Sequence, residues 1–199
     1  MNNKIHKKEH GSLEVICGPM FSGKSEELMR RLRRAQIAKQ HVAIFKHALD
    51  DRHTTQKVAS HDGNTMNAYP IDSTPDMMLH IKNKSIDVVG IDEVQFFPMQ
   101  IITIICDLIE SGKRVVIAGL DLDFRGIPFG PMPTLLAIAD TITKLQAICT
   151  ICGNDAHFTQ RLVNNKPAQH DDPIILIGAQ EAYDARCRNC YIIDKRPQL

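Results

Sequence analysis

A glycine-bounded segment near the amino terminus has the residue types that bind a phosphate chain. It reads Gly18-Pro19-Met20-Phe21-Ser22-Gly23-Lys24-Ser25, and it lies between a short apolar run at residues 13–17 and a helical pattern at residues 25–40. Backbone N–H groups in such a loop, together with the positive end of the following helix, form a cradle for anions. In this P-loop pattern Lys24 reaches the β and γ phosphates and the Ser25 hydroxyl ligates Mg²⁺. The segment therefore predicts a nucleoside triphosphate site.

Two carboxylates, Asp92 and Glu93, come directly after the apolar run Val88-Val89-Gly90-Ile91. A continuous apolar run is typical of a strand in a parallel sheet with both faces covered, where the chemistry lies at the carboxyl ends. Asp92 fits the Walker B position on the metal side of a nucleotide, and Glu93 is placed to act on the attacking nucleophile. An isolated Asp-Glu pair is more often a solvated strand end, but the P-loop in the same chain favours the functional interpretation.

Four of the six cysteines form two Cys-x-x-Cys pairs, Cys149 with Cys152 and Cys187 with Cys190. This spacing lets a tight turn offer two thiolates to one tetrahedral zinc ion, although redox-active pairs share it. The segment between the pairs is longer than the ~15 to 20 residues of a usual zinc ribbon, which predicts a long loop clamped at its root. Its apolar residues 174–177 and Tyr183 are unusual for a solvated loop, and a bound base is a candidate to cover them.

The remaining patterns predict alternating strands and helices. Strands are predicted at residues 41–46, 114–120 and 142–149, the last as a core strand. Helices are predicted at 72–83, beginning at Ser73 or Thr74, at 100–111 with Gly112 as the C-cap, and at 134–139. Residues 49–67 lack a sustained period and predict a loop, with His61 as a hydrogen-bonded loop residue. A second loop, residues 121–130, should lie on the same edge as the P-loop.

These patterns predict an α/β protein with a P-loop NTPase core and a mainly parallel sheet at residues 1–148, followed by a small zinc-binding lasso module at residues 149–199. The formal charge of +1 gives no global basic excess of the kind that binds a nucleic acid backbone. The first eleven residues lack the apolar core of a signal peptide, and no apolar run is long enough to span a membrane. A cytoplasmic protein is expected, with Cys17 and Cys106 as buried small apolar residues.

Several motifs occur in a characteristic order. They are the P-loop segment, Ser60-His61-Asp62-Gly63, Asp92-Glu93-Val94-Gln95-Phe96-Phe97, Gly119-Leu120-Asp121-x-Asp123-Phe124-Arg125-Gly126-x-Pro128-Phe129-Gly130 and the two cysteine pairs. In this order they resemble the thymidine kinases of the zinc-containing cytosolic type found in bacteria and animal cells. The resemblance covers roughly residues 13–191, nearly the whole chain.

The resemblance implies transfer of a phosphoryl group from ATP to the 5′-hydroxyl of thymidine, which gives dTMP in nucleotide salvage for DNA synthesis. It implies that Glu93 is the general base and that Lys24 is also catalytic. Contacts to ATP and Mg²⁺ are implied for Gly18, Pro19, Met20, Phe21, Ser22, Gly23, Lys24, Ser25, Asp92, Glu93, Val94 and Gln95. Contacts to thymidine are implied for Met20, Phe96, Phe124, Thr159, Ile174, Ile175, Leu176, Ile177, Gly178 and Tyr183. Zn²⁺ is implied at Cys149, Cys152, Cys187 and Cys190.

Further features follow from the resemblance alone. Arg161 corresponds to a position on the substrate side, and Asp50 and Arg52 match a weaker position near the phosphates. Ala179 stands where many members have a second glycine, so the backbone path there departs from the family pattern. A homotetramer and feedback inhibition by dTTP are also implied.

Two other classes of protein share parts of these patterns. An Asp-Glu-x-Gln sequence after a strand also occurs in RecA-like ATPases and helicase-type motors, but these usually need further motifs and a basic track. A nucleic-acid-binding zinc-ribbon module with a vestigial P-loop is the other alternative, and it is favoured less than the motor. Neither a nucleic acid polymer nor a membrane is therefore expected as a partner.

Overall fold

The computed structural model describes residues 10–47, 57–59, 65–71, 74–82, 85–174 and 181–195. The strands are β1 Ser12–Cys17, β2 Val42–His47, β3 Lys57–Ala59, β4 Thr65–Asn67, β5 Tyr69–Ile71, β6 Val88–Asp92, β7 Arg114–Gly119, β8 Thr141–Lys144, β9 Ala147–Ile148, β10 Asp155–Ala156, β11 Phe158–Val163, β12 Lys166–Pro167 and β13 Glu181–Arg186. The helices are α1 Lys24–Ile37, α2 Thr74–Lys82, α3 Ile101–Glu110 and α4 Met132–Ile138, with a 3-10 turn at Val94–Phe96.

Six strands form one parallel sheet in the order β5-β2-β6-β7-β1-β8. The sheet is buried on both faces because its central strands are apolar at successive positions, as the sequence predicts. Helix α1 covers one face, and α2, α3 and α4 contribute buried side chains to the cluster on the other face. The α/β prediction with a mainly parallel sheet is confirmed.

Helix α1 packs on the sheet through one apolar side. Leu28, Leu32 and Ala35 recur at helical spacing and are buried. A Cβ atom at Gly90 of β6 would lie 2.5 Å from Leu32 Cδ1, so the missing side chain lets the helix approach the strand closely. The predicted helix continued to Gln40, but α1 ends at Ile37 because Lys39 takes a left-handed φ of 61° and the Gln40 N–H turns back to the Ala35 carbonyl at 3.1 Å.

The structure corrects the predicted loop at residues 49–67. Its described part contains a short antiparallel hairpin, β3 with β4, and the chain then adds β5 as the sheet edge beside β2. These strands have three residues each, too few to give a period in the sequence. His61, Asp50 and Arg52 lie outside the described residues.

The predicted core strand at residues 142–149 is also wrong in part. Strand β8 is a mostly exposed edge strand that ends at Lys144. The Leu145 N–H then bonds to the Cys17 carbonyl at 2.7 Å, and β9 pairs with β10 outside the main sheet. The expected long loop between the cysteine pairs is largely a second sheet, with the antiparallel order β12-β11-β13.

The other helices agree with the sequence patterns within about two residues. Helix α2 begins at Thr74, and α3 is followed by Gly112 with a left-handed φ of 85°. Helix α4 begins at Met132, two positions before the predicted start at 134. In the described part of the chain, none of the helices combines the length and apolar character needed to cross a bilayer.

Candidate active site

The P-loop connects the end of β1 to the start of α1. Gly18 has a φ of 144°, and a Cβ atom there would lie 2.4 Å from the Leu145 carbonyl oxygen, so no larger residue fits. Ser22 Oγ and Lys24 Nζ donate to the Pro19 carbonyl at 2.8 Å and 2.7 Å. Among the described residues no side chain caps the amino end of α1. The first N–H groups of this helix can therefore serve an anion.

The two predicted acids lie at the same edge of the sheet. Asp92 ends β6 and is 5% exposed, and its Oδ1 accepts the Glu93 N–H at 3.0 Å. Glu93 has a left-handed backbone with φ 51° and ψ 42°, which ends the strand and starts the 3-10 turn. Strand β7 separates β6 from β1, so Asp92 and the P-loop strand are roughly 9 to 10 Å apart.

The Gln95 side chain is hydrogen-bonded to the Glu93 carboxylate. It is 2% exposed, and its Nε2 donates to Glu93 Oε2 while its Oε1 accepts the Leu120 N–H at 3.0 Å. A Cβ atom at Gly119 would lie 2.7 Å from Gln95 Oε1, so that glycine makes the space for the amide. The resemblance assigns Gln95 to the nucleotide, whereas its side chain here bridges Glu93 and the end of β7.

The loop at residues 121–130 follows β7 and is closed by Asp123. Asp123 Oδ1 accepts the N–H groups of Arg125 and Ile127 at 2.9 Å and 3.1 Å, and its Oδ2 accepts the Arg125 guanidinium. Phe124 is 4% exposed, and the Arg161 guanidinium carbon lies 5.1 Å from its ring centroid. Two residues predicted on the substrate side, Phe124 of this loop and Arg161 of β11, are thus in contact although they are distant in sequence.

Other residues assigned to thymidine are placed as follows. The Met20 N–H of the P-loop donates to Thr159 Oγ1 of β11 at 3.0 Å, which joins the phosphate loop to the second sheet. Phe96 is half-buried and meets Phe129 edge to face at 5.7 Å between ring centroids. Tyr183 on β13 pairs with Arg161 on β11. Ile174 is exposed, and Ile175, Leu176, Ile177, Gly178 and Ala179 lie outside the described residues.

The four predicted zinc ligands form one cluster. The sulfur atoms of Cys149, Cys152, Cys187 and Cys190 lie within 4.8 Å of one another, and all six cysteines are free thiols. Burial by itself raises the pKa of the Cys149 thiol, but N–H groups of Cys187, Ile151 and Cys152 outweigh it and lower the pKa to about 6. Four sulfur donors at this separation fit a tetrahedral zinc ion.

Sequence reasoning gave no individual role to three groups near this edge. Lys46, the residue before the end of β2, lies opposite Asp92 and is 2% exposed. A polar residue near the carboxyl end of an apolar strand could have indicated it. Asp121 is buried and pairs with Lys144 at 2.7 Å. Tyr191 follows the last cysteine and donates its hydroxyl to the Phe124 carbonyl at 2.6 Å, a contact without a sequence signal.

A strand, a P-loop, a helix and a neighbouring acidic strand end define a P-loop nucleotide-binding α/β protein, here with a four-cysteine cluster. A family model described as "Thymidine kinase" matches residues 11–191. The chain therefore belongs to the thymidine kinase family, as the motif order predicts.

The chain is also similar to a solved structure, domain III of the replication initiation protein DnaA from Thermotoga maritima. The TM-score is 0.41 at 17% sequence identity, and the match covers 70% of this chain and 56% of that chain. The matched part is thus little more than half of the DnaA domain. A likeness at this level adds nothing to the family assignment.

Metal content tests the cysteine cluster. We expect the purified protein to carry about one zinc ion per chain and Cys187→Ser to lose most of it, because a structural zinc site needs all four ligands. Cys106→Ser, on α3 and outside the cluster, is the matched control and should keep its zinc. Elemental analysis of both variants gives the answer, and a zinc content unaffected by Cys187→Ser would rule the cluster out as the metal site.

Proposed function

We propose that this protein transfers the γ-phosphoryl group of ATP to the 5′-hydroxyl of thymidine and gives dTMP. Membership in the thymidine kinase family supports thymidine and ATP as the substrates. The observation that carries the proposal is the common sheet edge, which presents the P-loop cradle and the Glu93 carboxylate on either side of one intervening strand. Such a site suits phosphoryl transfer, which needs positioning and charge neutralisation more than covalent chemistry.

The ATP phosphates would occupy the loop from Gly18 to Ser25. Lys24 Nζ now donates to the Pro19 carbonyl, and a β or γ phosphate oxygen is a stronger acceptor for the same ammonium. Lys24 is 8% exposed, so its charge acts in a poorly solvated place where electrostatic stabilisation is large. Ser25 and Asp92 would hold Mg²⁺, which when bound neutralises charge on the phosphate oxygens. Val94 and Gln95 complete the set assigned to the nucleotide.

Glu93 would accept the proton of the thymidine 5′-hydroxyl as that oxygen attacks the γ phosphorus and ADP leaves. A general base must be held within hydrogen-bond reach of the proton that it takes. The Gln95 amide supplies this constraint, because its Nε2 donates to Glu93 Oε2 and so fixes the position of the carboxylate. We therefore assign Gln95 as a positioning residue in addition to its place near the nucleotide.

The thymine ring would lie between the 121–130 loop and the second sheet. We propose residues 1–148 as the nucleotide-binding domain and residues 149–199 as the zinc-binding substrate module. Two contacts between these parts support a substrate site at their boundary. Thr159 Oγ1 accepts the Met20 N–H of the P-loop, and the Arg161 guanidinium lies over the Phe124 ring. The base contacts are assigned to Met20, Phe96, Phe124, Thr159, Ile174, Ile175, Leu176, Ile177, Gly178 and Tyr183.

Assembly and regulation are proposed from the family alone. A homotetramer and inhibition by the end product dTTP fit a salvage kinase of this family. A cytoplasmic location agrees with the free state of all six cysteines, because thiols stay reduced there. A zinc ion in the four-cysteine cluster would fix the root of the substrate module.

A RecA-like ATPase or helicase-type motor is the alternative from another class, because it shares the P-loop and the Asp-Glu-x-Gln pattern. The deciding assay compares ATP consumption with thymidine and with single-stranded DNA. We expect thymidine to stimulate ATP consumption with stoichiometric dTMP, and DNA to leave it at the basal level. If DNA stimulates ATP consumption and no dTMP forms, the kinase proposal is wrong and the motor is the better assignment.

The base assignment predicts a specific kinetic defect. Glu93→Gln should lower kcat by roughly 100-fold or more, because it keeps the shape of the side chain but removes the proton acceptor. ATP and thymidine binding should change little, and Glu110→Gln at the exposed end of α3 is the matched control. If the Michaelis constant for thymidine rises while kcat holds, Glu93 is a binding residue and the base lies elsewhere.

The Gln95 assignment predicts a different pattern. Gln95→Leu should lower kcat by about tenfold with little change in the dissociation constant of ATP, because the Glu93 carboxylate loses its anchor. Gly119→Ala should reproduce this loss, since its methyl group would meet Gln95 Oε1. Calorimetric ATP titration separates the roles: a much weaker ATP complex with an unchanged kcat would make Gln95 a nucleotide ligand.

A further inference from the structure

Hydrogen bonds within the 121–130 loop, which carries Phe124, join its two sides. The Asp123 N–H donates to the Ile127 carbonyl at 2.9 Å, and the Gly126 N–H returns to the Asp123 carbonyl at 3.0 Å. The buried Asp123 carboxylate fills the centre of the turn, with two backbone N–H groups and a guanidinium as donors. Because these bonds are internal, the position of the loop is set by its external contacts, which include the Asp121–Lys144 ion pair, the Phe129–Phe96 ring contact and the contacts of Phe124.

Tyr191, which follows the last residue of the four-cysteine cluster, contacts the outer surface of this loop. Its N–H donates to the Cys187 carbonyl at 3.0 Å, directly after Cys190. Its ring stacks on Phe158 of β11, with 4.6 Å between ring centroids and an interplanar angle of 18°. Its hydroxyl reaches the Phe124 carbonyl at 2.6 Å. One side chain thus joins the cysteine turn, the second sheet and the 121–130 loop.

The Phe124 ring is held by the same module. Arg161 on β11 is 0% exposed and its guanidinium carbon lies 5.1 Å from the ring centroid. The carbonyl and the ring of Phe124 are therefore both in contact with the module, through Tyr191 and Arg161 respectively. A shift of the module would move Phe124 through either contact.

We propose that Tyr191 is a positioning residue that couples the four-cysteine cluster to thymidine affinity by fixing Phe124. The inference rests on the proposed function, in which Phe124 faces the thymine ring. The coupling acts through a hydrogen bond to the core domain, separately from residues 174–178 and Tyr183, which are assigned direct contacts to the base. It predicts that the metal state changes thymidine binding even where those direct contacts are intact.

Tyr191→Phe is the sharpest variant because it keeps the ring that stacks on Phe158 and removes only the hydroxyl. Loss of this part-buried hydrogen bond should weaken thymidine binding about 3- to 10-fold. Zinc content should stay at the wild-type level, and ATP affinity should stay within about twofold, since the P-loop is on the core sheet. Tyr69→Phe on the edge strand β5 is the matched control and should change neither affinity. Calorimetric titration of both ligands supplies the numbers.

Amide hydrogen exchange tests the coupling without any ligand. In the zinc-loaded protein, Tyr191→Phe should speed exchange in peptides that contain Gly126 and Ile127. Zinc removal should also speed this exchange, and by more in the wild type than in Tyr191→Phe, because the variant already lacks the Tyr191 contact and retains only the contact from Arg161. Circular dichroism should show that the core stays folded throughout.

The outcomes separate this inference from the kinase assignment. If exchange and thymidine affinity both stay unchanged in zinc-loaded Tyr191→Phe, Tyr191 does not position the loop. If exchange rises but thymidine affinity holds, Phe124 does not carry the coupling and the proposal falls. A wild-type protein that makes no dTMP overturns the proposed function, while the exchange data still decide whether Tyr191 links the cluster to the loop.

Discussion

The parallel pairing of β1, β7 and β6 is the constraint on which the site depends. In this register Cys17 lies opposite Gly119, and Ile117 lies opposite Ile91. All three strands therefore end at one edge, and the P-loop, the 121–130 loop and the Glu93 turn must share it. The register in turn depends on apolar side chains on both faces, because a shift of one residue would turn buried groups toward the wrong layer. Burial of the sheet thus places chemical groups that lie far apart in sequence.

Gln95 shows how a small number of polar contacts refines this placement. A buried amide has to satisfy both its donor and its acceptor, and Gln95 does so with Glu93 on one side and Leu120 on the other. The carboxylate is consequently tied to the end of the neighbouring strand and not only to its own turn. Gly119 is part of the same arrangement, because any side chain there would collide with the amide.

The sequence predicted the parts of the fold that local patterns encode. The P-loop, β6 with its two acids and the paired cysteines each depend on residues within about ten positions, so they could be recognised without the structure. Strand β5 could not, since three residues carry little period, and β11 and β13 could not, since each pairs with a strand distant in sequence. The role of Gln95 depends on Leu120, 25 positions away, and the Met20 to Thr159 bond joins residues 139 positions apart. Such contacts follow from tertiary packing alone.

The small second sheet explains why a metal would belong in this module. The buried apolar cluster between the β9–β10 pair and β13 of this sheet consists of Ala147, Cys149, Ala156, Ala185 and Cys187, which are among the smallest apolar side chains. A two- or three-stranded sheet with so little buried area is marginally stable in water. Small domains commonly gain the missing stability from a structural metal. The cysteine cluster joins the β9–β10 turn to the residues that follow β13, so a zinc ion there would stabilise the sheet that carries Thr159 and Arg161. Substrate affinity and metal occupancy should therefore be linked through the stability of this sheet.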